Sequence, residues 1–182
     1  MKYRIGALAL PFAAMLLAAP ALAEEAAFTK GPVFEEFGPV ADIDSDFVIP
    51  KGMDFKVRFD VREGGEAGSR NRRLETAARF INMHARAGVP EKKMKLALVI
   101  HGKAVNDMTR AAHYAEAVGG ENANAEMLAA LMDKGVRIIV CGQSAAYYEV
   151  TKEDLIPGVE MAISAMTAHA VLAREGYELN PF

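Results

Sequence analysis

The chain has 182 residues, and its 21 basic and 24 acidic side chains give a formal net charge of −3. This length suits a single domain, and the mildly acidic balance weighs against nucleic acid or an anionic membrane surface as a partner. Because Cys141 is the one cysteine, the sequence excludes an internal disulfide and a zinc site of the CxxC type.

The start of the chain has the three regions of a secretory signal peptide in order. Lys2 and Arg4 give a basic beginning, residues 5–17 form an apolar run, and residues 21–23 (Ala-Leu-Ala) form a cleavage site. The apolar run is too short to span a membrane stably. We therefore predict a signal peptide at residues 1–23, a periplasmic or secreted mature protein, and no membrane attachment.

The next segment, residues 24–52, is rich in proline, glycine and acidic residues and shows neither helical nor strand periodicity. Its phenylalanines, at positions 28, 34, 37 and 47, are more than a disordered segment usually contains. We predict an extended arm whose aromatic side chains dock on the domain or on a neighbouring subunit, and a disordered tether is the alternative. The domain itself is predicted over residues 53–182.

From residue 55 the sequence alternates between strand and helix patterns. Apolar alternation or continuous apolar runs predict strands at residues 55–61, 96–100, 136–140, 159–163 and 177–179. Capping and glycine signals predict helices from Asn71 to Gly88 and from Asn122 or Asn124 to Gly135, with shorter helices or loops near 104–118, 144–150 and 167–175. Residues 159–175 could instead form one continuous helix.

This alternation indicates a parallel sheet with helices on both faces. We predict a compact, doubly wound, mainly parallel five-stranded sheet of the flavodoxin-like α/β class, with strand order 2-1-3-4-5. Sites in such sheets lie beyond the carboxyl ends of the strands. Two strand ends carry reactive side chains, since His101 follows the second strand and Cys141 ends the third.

Cys141 lies where a buried strand turns into a helix. Gly142 permits a tight or positive-φ turn, and the backbone amides of Gln143 and Ser144 would then point toward the sulfur. Free amides at the start of a helix favour the thiolate, which is the reactive form of cysteine. A buried, inert cysteine is the alternative, but a position at the end of the strand favours a functional thiol.

His101 is the candidate acid or base, although a lone histidine is as often structural. In the expected order the first strand separates it from Cys141 by roughly 10 Å, so direct contact would need loop reach or a neighbouring subunit. Gln143, Ser144 and Asn124 are polar groups near the same rim that could orient a small ligand, or could act as caps and turn formers. No histidine spacing or glycine-rich motif predicts a metal ion or a cofactor.

Four stretches carry a family resemblance: residues 96–104 (LALVIHGKA), Asn124 with its helix, residues 136–148 (VRIIVCGQSAAYY) and residues 174–177 (REGY). Together they resemble the DsrE/DsrF-like family over roughly residues 53–182. The resemblance implies that Cys141 carries sulfur as a persulfide and that the domain assembles into trimers or hexamers. His101 matches an H-G segment of the family's exported branch, in which no role is established for it.

The signal peptide and the arm depart from the family's cytoplasmic sulfur-relay members. We therefore expect a sulfur-handling thiol, as in a sulfur carrier or sulfurtransferase-like protein, without assigning the pathway, the donor or the acceptor. The first alternative is a non-catalytic oligomeric module that binds a small ligand at the rim. The second is a redox sensor that forms an intermolecular Cys141 disulfide.

Overall fold

The computed structural model of the chain describes residues 28–181. The predicted signal peptide, residues 1–23, lies outside the described residues. The strands are β1 (Phe28–Thr29), β2 (Val40–Ala41), β3 (Phe55–Val61), β4 (Met94–Ile100), β5 (Arg137–Cys141), β6 (Glu160–Ala162) and β7 (Glu178–Asn180). The α-helices are α1 (Arg72–Arg86), α2 (Ala111–Ala117), α3 (Ala125–Asp133), α4 (Gly142–Tyr147) and α5 (Ala165–Arg174), with 3-10 turns at Glu91–Lys93 and Gly102–Met108.

The predicted α/β class is confirmed, because β3 to β7 form one five-stranded parallel sheet with helices on both faces. The expected strand order is wrong. The observed order is β6-β5-β4-β3-β7, since the connections from β3 through β6 all step in one direction and the last one returns to place β7 beside β3. With right-handed crossovers, this path puts the earlier helices on one face and α5 on the other.

Strand β4 shows how the two faces are covered. Leu96, Leu98 and Ile100 belong to the larger hydrophobic cluster, which includes side chains of α1, α3 and α4. Ala97 and Val99 pack in a smaller cluster with side chains of α5. This period of two follows from the opposite orientation of successive side chains in a strand, and it makes β4 a fully covered central strand.

Strand β3 alternates in the same way but with different chemistry on its second face. Val57, Phe59 and Val61 join the larger cluster. Arg58 and Asp60 point to the α5 side, where both bond to His169 of that helix. The sheet therefore presents polar side chains beneath α5 at its carboxyl edge.

Residues 28–52 lie against α1. Phe34 and Phe37 are buried in the larger cluster, whereas Phe28 and Phe47 are exposed. The buried Asn82 side chain of α1 fixes the arm, since it accepts from the amides of residues 33 and 34 and donates to the carbonyls of residues 34, 37 and 38. Among the helices of residues 28–181, none has the length and apolar character needed to cross a membrane.

Candidate functional site

An open pocket of about 350 Å³ lies at the carboxyl edge of the sheet, on the face covered by α5. Strands β3 and β5, the residue after β4, the first turn of α4 and the first two turns of α5 contribute to it. The lining residues are Asp60, His101, Cys141, Gln143, Ser164, Ala165, Met166 and His169. The structure therefore brings Cys141, His101 and Gln143 of the predicted set into one pocket.

Strand register explains why His101 and Cys141 meet. Strands β4 and β5 are neighbours, and Ile100 pairs with Val140, so the next residue of each strand is again side by side. Neighbouring strands lie roughly 4.8 Å apart. The expectation that a strand separates the two side chains was wrong, because it depended on a strand order that the chain does not adopt.

The thiol of Cys141 lies in a donor-rich environment, and only 6 % of the residue is exposed. Burial, the largest single influence, would raise the pKa of the thiol. Hydrogen bonds from the Ser144 amide and hydroxyl, and from the amides of Ala165 and Gln143, outweigh burial and hold the pKa below the usual cysteine value. The start of α4 and the start of α5 thus both supply donors that stabilise a thiolate.

The turn that follows Cys141 depends on close packing. A Cβ on Gly142 would lie 2.7 Å from the carbonyl oxygen of Ala162, so only glycine fits without a shift. Gly142 does not belong to the glycines with positive φ, so close approach is the reason for glycine here. Gln143 Nε2 donates to the carbonyl of Ile163 at 3.3 Å, which ties α4 to the end of β6.

Ser144 connects the two strand ends. Its hydroxyl accepts a hydrogen bond from the amide of Gly102 at 3.0 Å, directly after His101. Gly102 has a φ of +55°, and a Cβ there would lie 2.8 Å from the carbonyl oxygen of Arg62. The loop carrying His101 is therefore bonded at Gly102 to Ser144 of α4 and packs closely there against Arg62, the residue after β3.

Sequence reasoning missed Asp60 and His169. Asp60 Oδ2 lies 3.0 Å from His101 Nε2, and Asp60 Oδ1 lies 2.7 Å from His169 Nε2. Burial would raise the pKa of Asp60, but the hydrogen bonds from the two histidines lower it overall. The alternation of β3 was the available signal, because it puts Asp60 on one face with Arg58.

Asn124, which was predicted with Gln143 and Ser144 as a polar group near the site, does not line the pocket. It is fully buried, its Oδ1 accepts from the Asn71 amide at 2.7 Å, and its Nδ2 donates to Asn122 Oδ1 at 3.1 Å. These bonds join the start of α1 to the start of α3, away from the pocket lining. Asn124 therefore serves the fold rather than the pocket.

The arrangement supplies a nucleophile and an acid or base in one partly apolar pocket. Cys141 offers a stabilised thiolate, and His101 can give or accept a proton. Across residues 28–181, no three or more His, Cys, Asp and Glu side chains are grouped so that they could hold a metal ion. Together, Cys141 and His101 can perform attack by sulfur with proton transfer by imidazole.

Comparisons with known proteins agree with the fold. The model of the DsrE/DsrF-like family matches residues 56–181. The solved structure of a protein of unknown function, MTH1491 from Methanobacterium thermoautotrophicum, aligns with a TM-score of 0.52 and 18 % identity over 71 % of this chain and 100 % of that one. The ychN protein from E. coli aligns with a TM-score of 0.47 and 18 % identity over 70 % of this chain and 100 % of its own. A comparison with curated proteins finds none that matches in sequence.

Proposed function

Because the chain belongs to the DsrE/DsrF-like family, we propose that it is a sulfur-handling protein that carries sulfur as a persulfide on Cys141. The observation that carries this proposal is the thiol itself. Its pKa is lowered by donors from two helix starts, and it lines an open pocket with His101. A stabilised thiolate within reach of solvent is what attack on a sulfane sulfur requires.

The proposed transfer has two half-reactions. First, the Cys141 thiolate bonds to the outer sulfur of a donor R–S–SH, the donor S–S bond breaks, and R–S⁻ leaves with the electron pair. The enzyme-bound product is Cys141–S–SH. In the second half, an acceptor thiolate attacks the outer sulfur of that persulfide and releases the Cys141 thiolate.

The proposed setting is the periplasm or the outside of the cell. It is supported by the basic start, apolar run and Ala-x-Ala site of residues 1–23. We also propose a homo-oligomer, a trimer or a hexamer, and this is supported by exposed apolar side chains on the α5 face. The test of the setting is the mass of the protein recovered after expression with its leader, which we expect to begin at Glu24.

The central test is intact mass spectrometry after exposure to inorganic polysulfide. We expect the wild-type protein to gain the mass of one sulfur atom, and a reductant to reverse the gain. Cys141→Ser, and wild-type protein alkylated beforehand with iodoacetamide, should show no gain. Persistence of the gain in Cys141→Ser would place the sulfur elsewhere and end the proposal.

The two alternatives predict different results. A redox sensor needs the Cys141 sulfur atoms of two chains to meet, and a thiol that is 6 % exposed at the base of a pocket admits a small donor more readily than a second chain. Such a sensor would give a reductant-sensitive dimer on non-reducing gels. A simple binding module would leave Cys141 unreactive toward both polysulfide and iodoacetamide, although the pocket would remain.

A further inference from the structure

A chain of four hydrogen-bonded side chains lies beside the Cys141 pocket. Arg58 Nε donates to His169 Nδ1 at 3.1 Å, and His169 Nε2 lies 2.7 Å from Asp60 Oδ1. Because a guanidinium can only donate, His169 Nδ1 must be an unprotonated acceptor. The His169 proton is therefore on Nε2 and points at Asp60, so His169 is neutral in this arrangement.

The same reasoning fixes His101. Asp60, whose pKa is lowered, is a carboxylate and can only accept, so His101 Nε2 carries the proton that lies 3.0 Å from Asp60 Oδ2. The other ring nitrogen, Nδ1, receives no hydrogen bond from residues 28–181. Among the four hydrogen-bonded side chains, His101 Nδ1 is therefore the atom that is available to take up and release a proton.

We propose that Asp60, His169 and Arg58 are positioning residues, which hold His101 so that its Nδ1 delivers a proton to the thiolate that leaves a persulfide donor at Cys141. This inference rests on the function proposed above and adds residues to it. Arg58 fixes the tautomer of His169, His169 and His101 share the carboxylate of Asp60, and the shared carboxylate orients the imidazole of His101.

The step balances without an oxidant or a reductant. His101 first takes up a proton at Nδ1, so that the imidazolium has a proton on each ring nitrogen while Nε2 still donates to Asp60. The Cys141 thiolate then forms a bond to the outer sulfur of R–S–SH, the donor S–S bond breaks, and the proton on His101 Nδ1 passes to the departing sulfur. The products are Cys141–S–SH, R–SH and neutral His101. In the second half-reaction the acceptor thiol gives its proton back to His101 as its sulfur attacks the persulfide.

The surroundings of His101 indicate which donors would benefit. The titratable groups that line the pocket with it are Asp60 from β3, Cys141 from β5 and His169 from α5, and Arg62 packs against the adjoining Gly102. None of the lining residues is a lysine or an arginine. Thiosulfate is a dianion that a lining without lysine or arginine does not attract, and the sulfite that it releases gains nothing from a proton donor. We therefore expect hydropersulfides, whose alkyl thiolate needs a proton to leave easily, to react faster than thiosulfate.

The test compares two reactions of the full mature protein. Sulfur transfer from cysteine hydropersulfide needs a proton on the leaving group, whereas alkylation by iodoacetamide releases iodide and needs none. We expect Asp60→Asn to slow transfer by about 10- to 100-fold, which is less than the roughly 10²- to 10⁴-fold contribution of a general acid, because the variant loses the orientation of the acid and keeps the acid itself. Alkylation should stay close to the wild-type rate. His101→Gln should likewise slow transfer and spare alkylation.

The matched control is His113→Gln. His113 faces Asp154 at 3.7 Å outside the pocket, so this variant removes a histidine from a second His–Asp pair and should leave both reactions unchanged. If Asp60→Asn and His101→Gln lose both reactions equally, or lose neither, the inference is overturned while the persulfide on Cys141 stands. If wild-type protein forms no persulfide at all, the proposed function fails and the inference with it.

Discussion

The reactivity of Cys141 depends on how its neighbours offset its burial. Because donors from Ser144, Ala165 and Gln143 hold its pKa below the usual value, the thiolate is populated at lower pH than in an ordinary cysteine. We expect the rate of alkylation by iodoacetamide to rise with pH around a midpoint below that of a free cysteine.

The Ser144 hydroxyl accounts for one of these donors. Ser144→Ala should move the pH midpoint of alkylation upward, because the thiolate loses the hydrogen bond from the hydroxyl. The backbone amide of residue 144 remains as a donor. Ser45→Ala, in an exposed part of the arm, is the control and should not move it. An unchanged midpoint in Ser144→Ala would mean that the backbone amides alone set the pKa.

A second titrating residue, His84, should affect stability. Its ring stacks on Phe80 with centroids 3.9 Å apart, and burial lowers its pKa from 6.5. The unfolded chain therefore binds the proton more readily, and stability is lost as the pH falls from about 6.5 toward the folded value. In urea unfolding at neutral and mildly acidic pH, we expect His84→Gln to lose less stability on acidification than the wild type; an equal loss would contradict this.

At the scale of elements, one side chain attaches the arm to the domain. Asn82 of α1 bonds to backbone groups of residues 33, 34, 37 and 38. We expect Asn82→Ala to lower the free energy of unfolding by roughly 2–4 kcal/mol, since several buried backbone groups lose their partner. The measurement is urea denaturation together with limited proteolysis of residues 28–52, which should become faster.

The control for this prediction lies on the same helix. Thr76 Oγ1 donates to the carbonyl of Arg72 within α1, so Thr76→Ala should cost much less stability and should leave proteolysis of the arm unchanged. Equal effects of the two substitutions would show that Asn82 acts through the helix rather than through the arm.

Most helices and strands were predictable because the spacing of their apolar side chains indicates which positions are buried. The alternation of residues 55–61 and the continuous apolar run from Leu96 to Ile100 each placed a strand, and Asn71 was recognised as the cap whose side chain accepts from the Arg73 amide. These signals are local. They depend on the periodicity of apolar side chains and on helix-capping residues, both of which can be recognised within a short stretch of sequence.

The direction of each crossover could not be predicted in the same way. The periodicity of apolar residues indicates which faces of a strand are covered. It does not indicate on which side of that strand the next strand is added to the sheet. In the sequence, Asp60 is one of the polar residues of an alternating strand, and His169 is one of four histidines. Neither pattern indicates a functional role. Only the observed strand order brings both of them beside Cys141.

At the scale of the molecule, the two faces of the sheet are covered unequally. The larger cluster packs beneath several helices, whereas in residues 28–181 the other face is covered by α5 with Tyr177. Exposed apolar side chains lie on that helix, at Met166 and Val171, and beside it, at Ile163 and Leu179. An exposed apolar surface of this kind is typical of a protein–protein contact, which is the basis of the proposed homo-oligomer.

Sedimentation of the mature protein should therefore give the mass of a trimer or a hexamer, and Met166→Lys should give smaller species. Met166 is 80 % exposed in the single chain, so a lysine there is tolerated by the fold but not by an apolar contact. Phe47→Lys is the control, because Phe47 is 90 % exposed on the arm, away from α5, and should leave the assembly intact. A monomeric wild-type protein at micromolar concentration would reject the oligomer.

The position of Met166 links assembly to chemistry. Met166 lines the Cys141 pocket as well as the α5 face, so a neighbouring subunit in contact with it would narrow the entrance to the thiol. A lysine at position 166 would also place a cation beside the thiol, so the test uses Val171→Lys, which alters the exposed side of α5 outside the pocket. We expect iodoacetamide to alkylate Cys141 faster in Val171→Lys than in the wild type, whereas Phe47→Lys should react at the wild-type rate. If Val171→Lys dissociates the assembly without a change in alkylation rate, the entrance lies outside the subunit contact, and access to Cys141 is set by α4 and α5 alone.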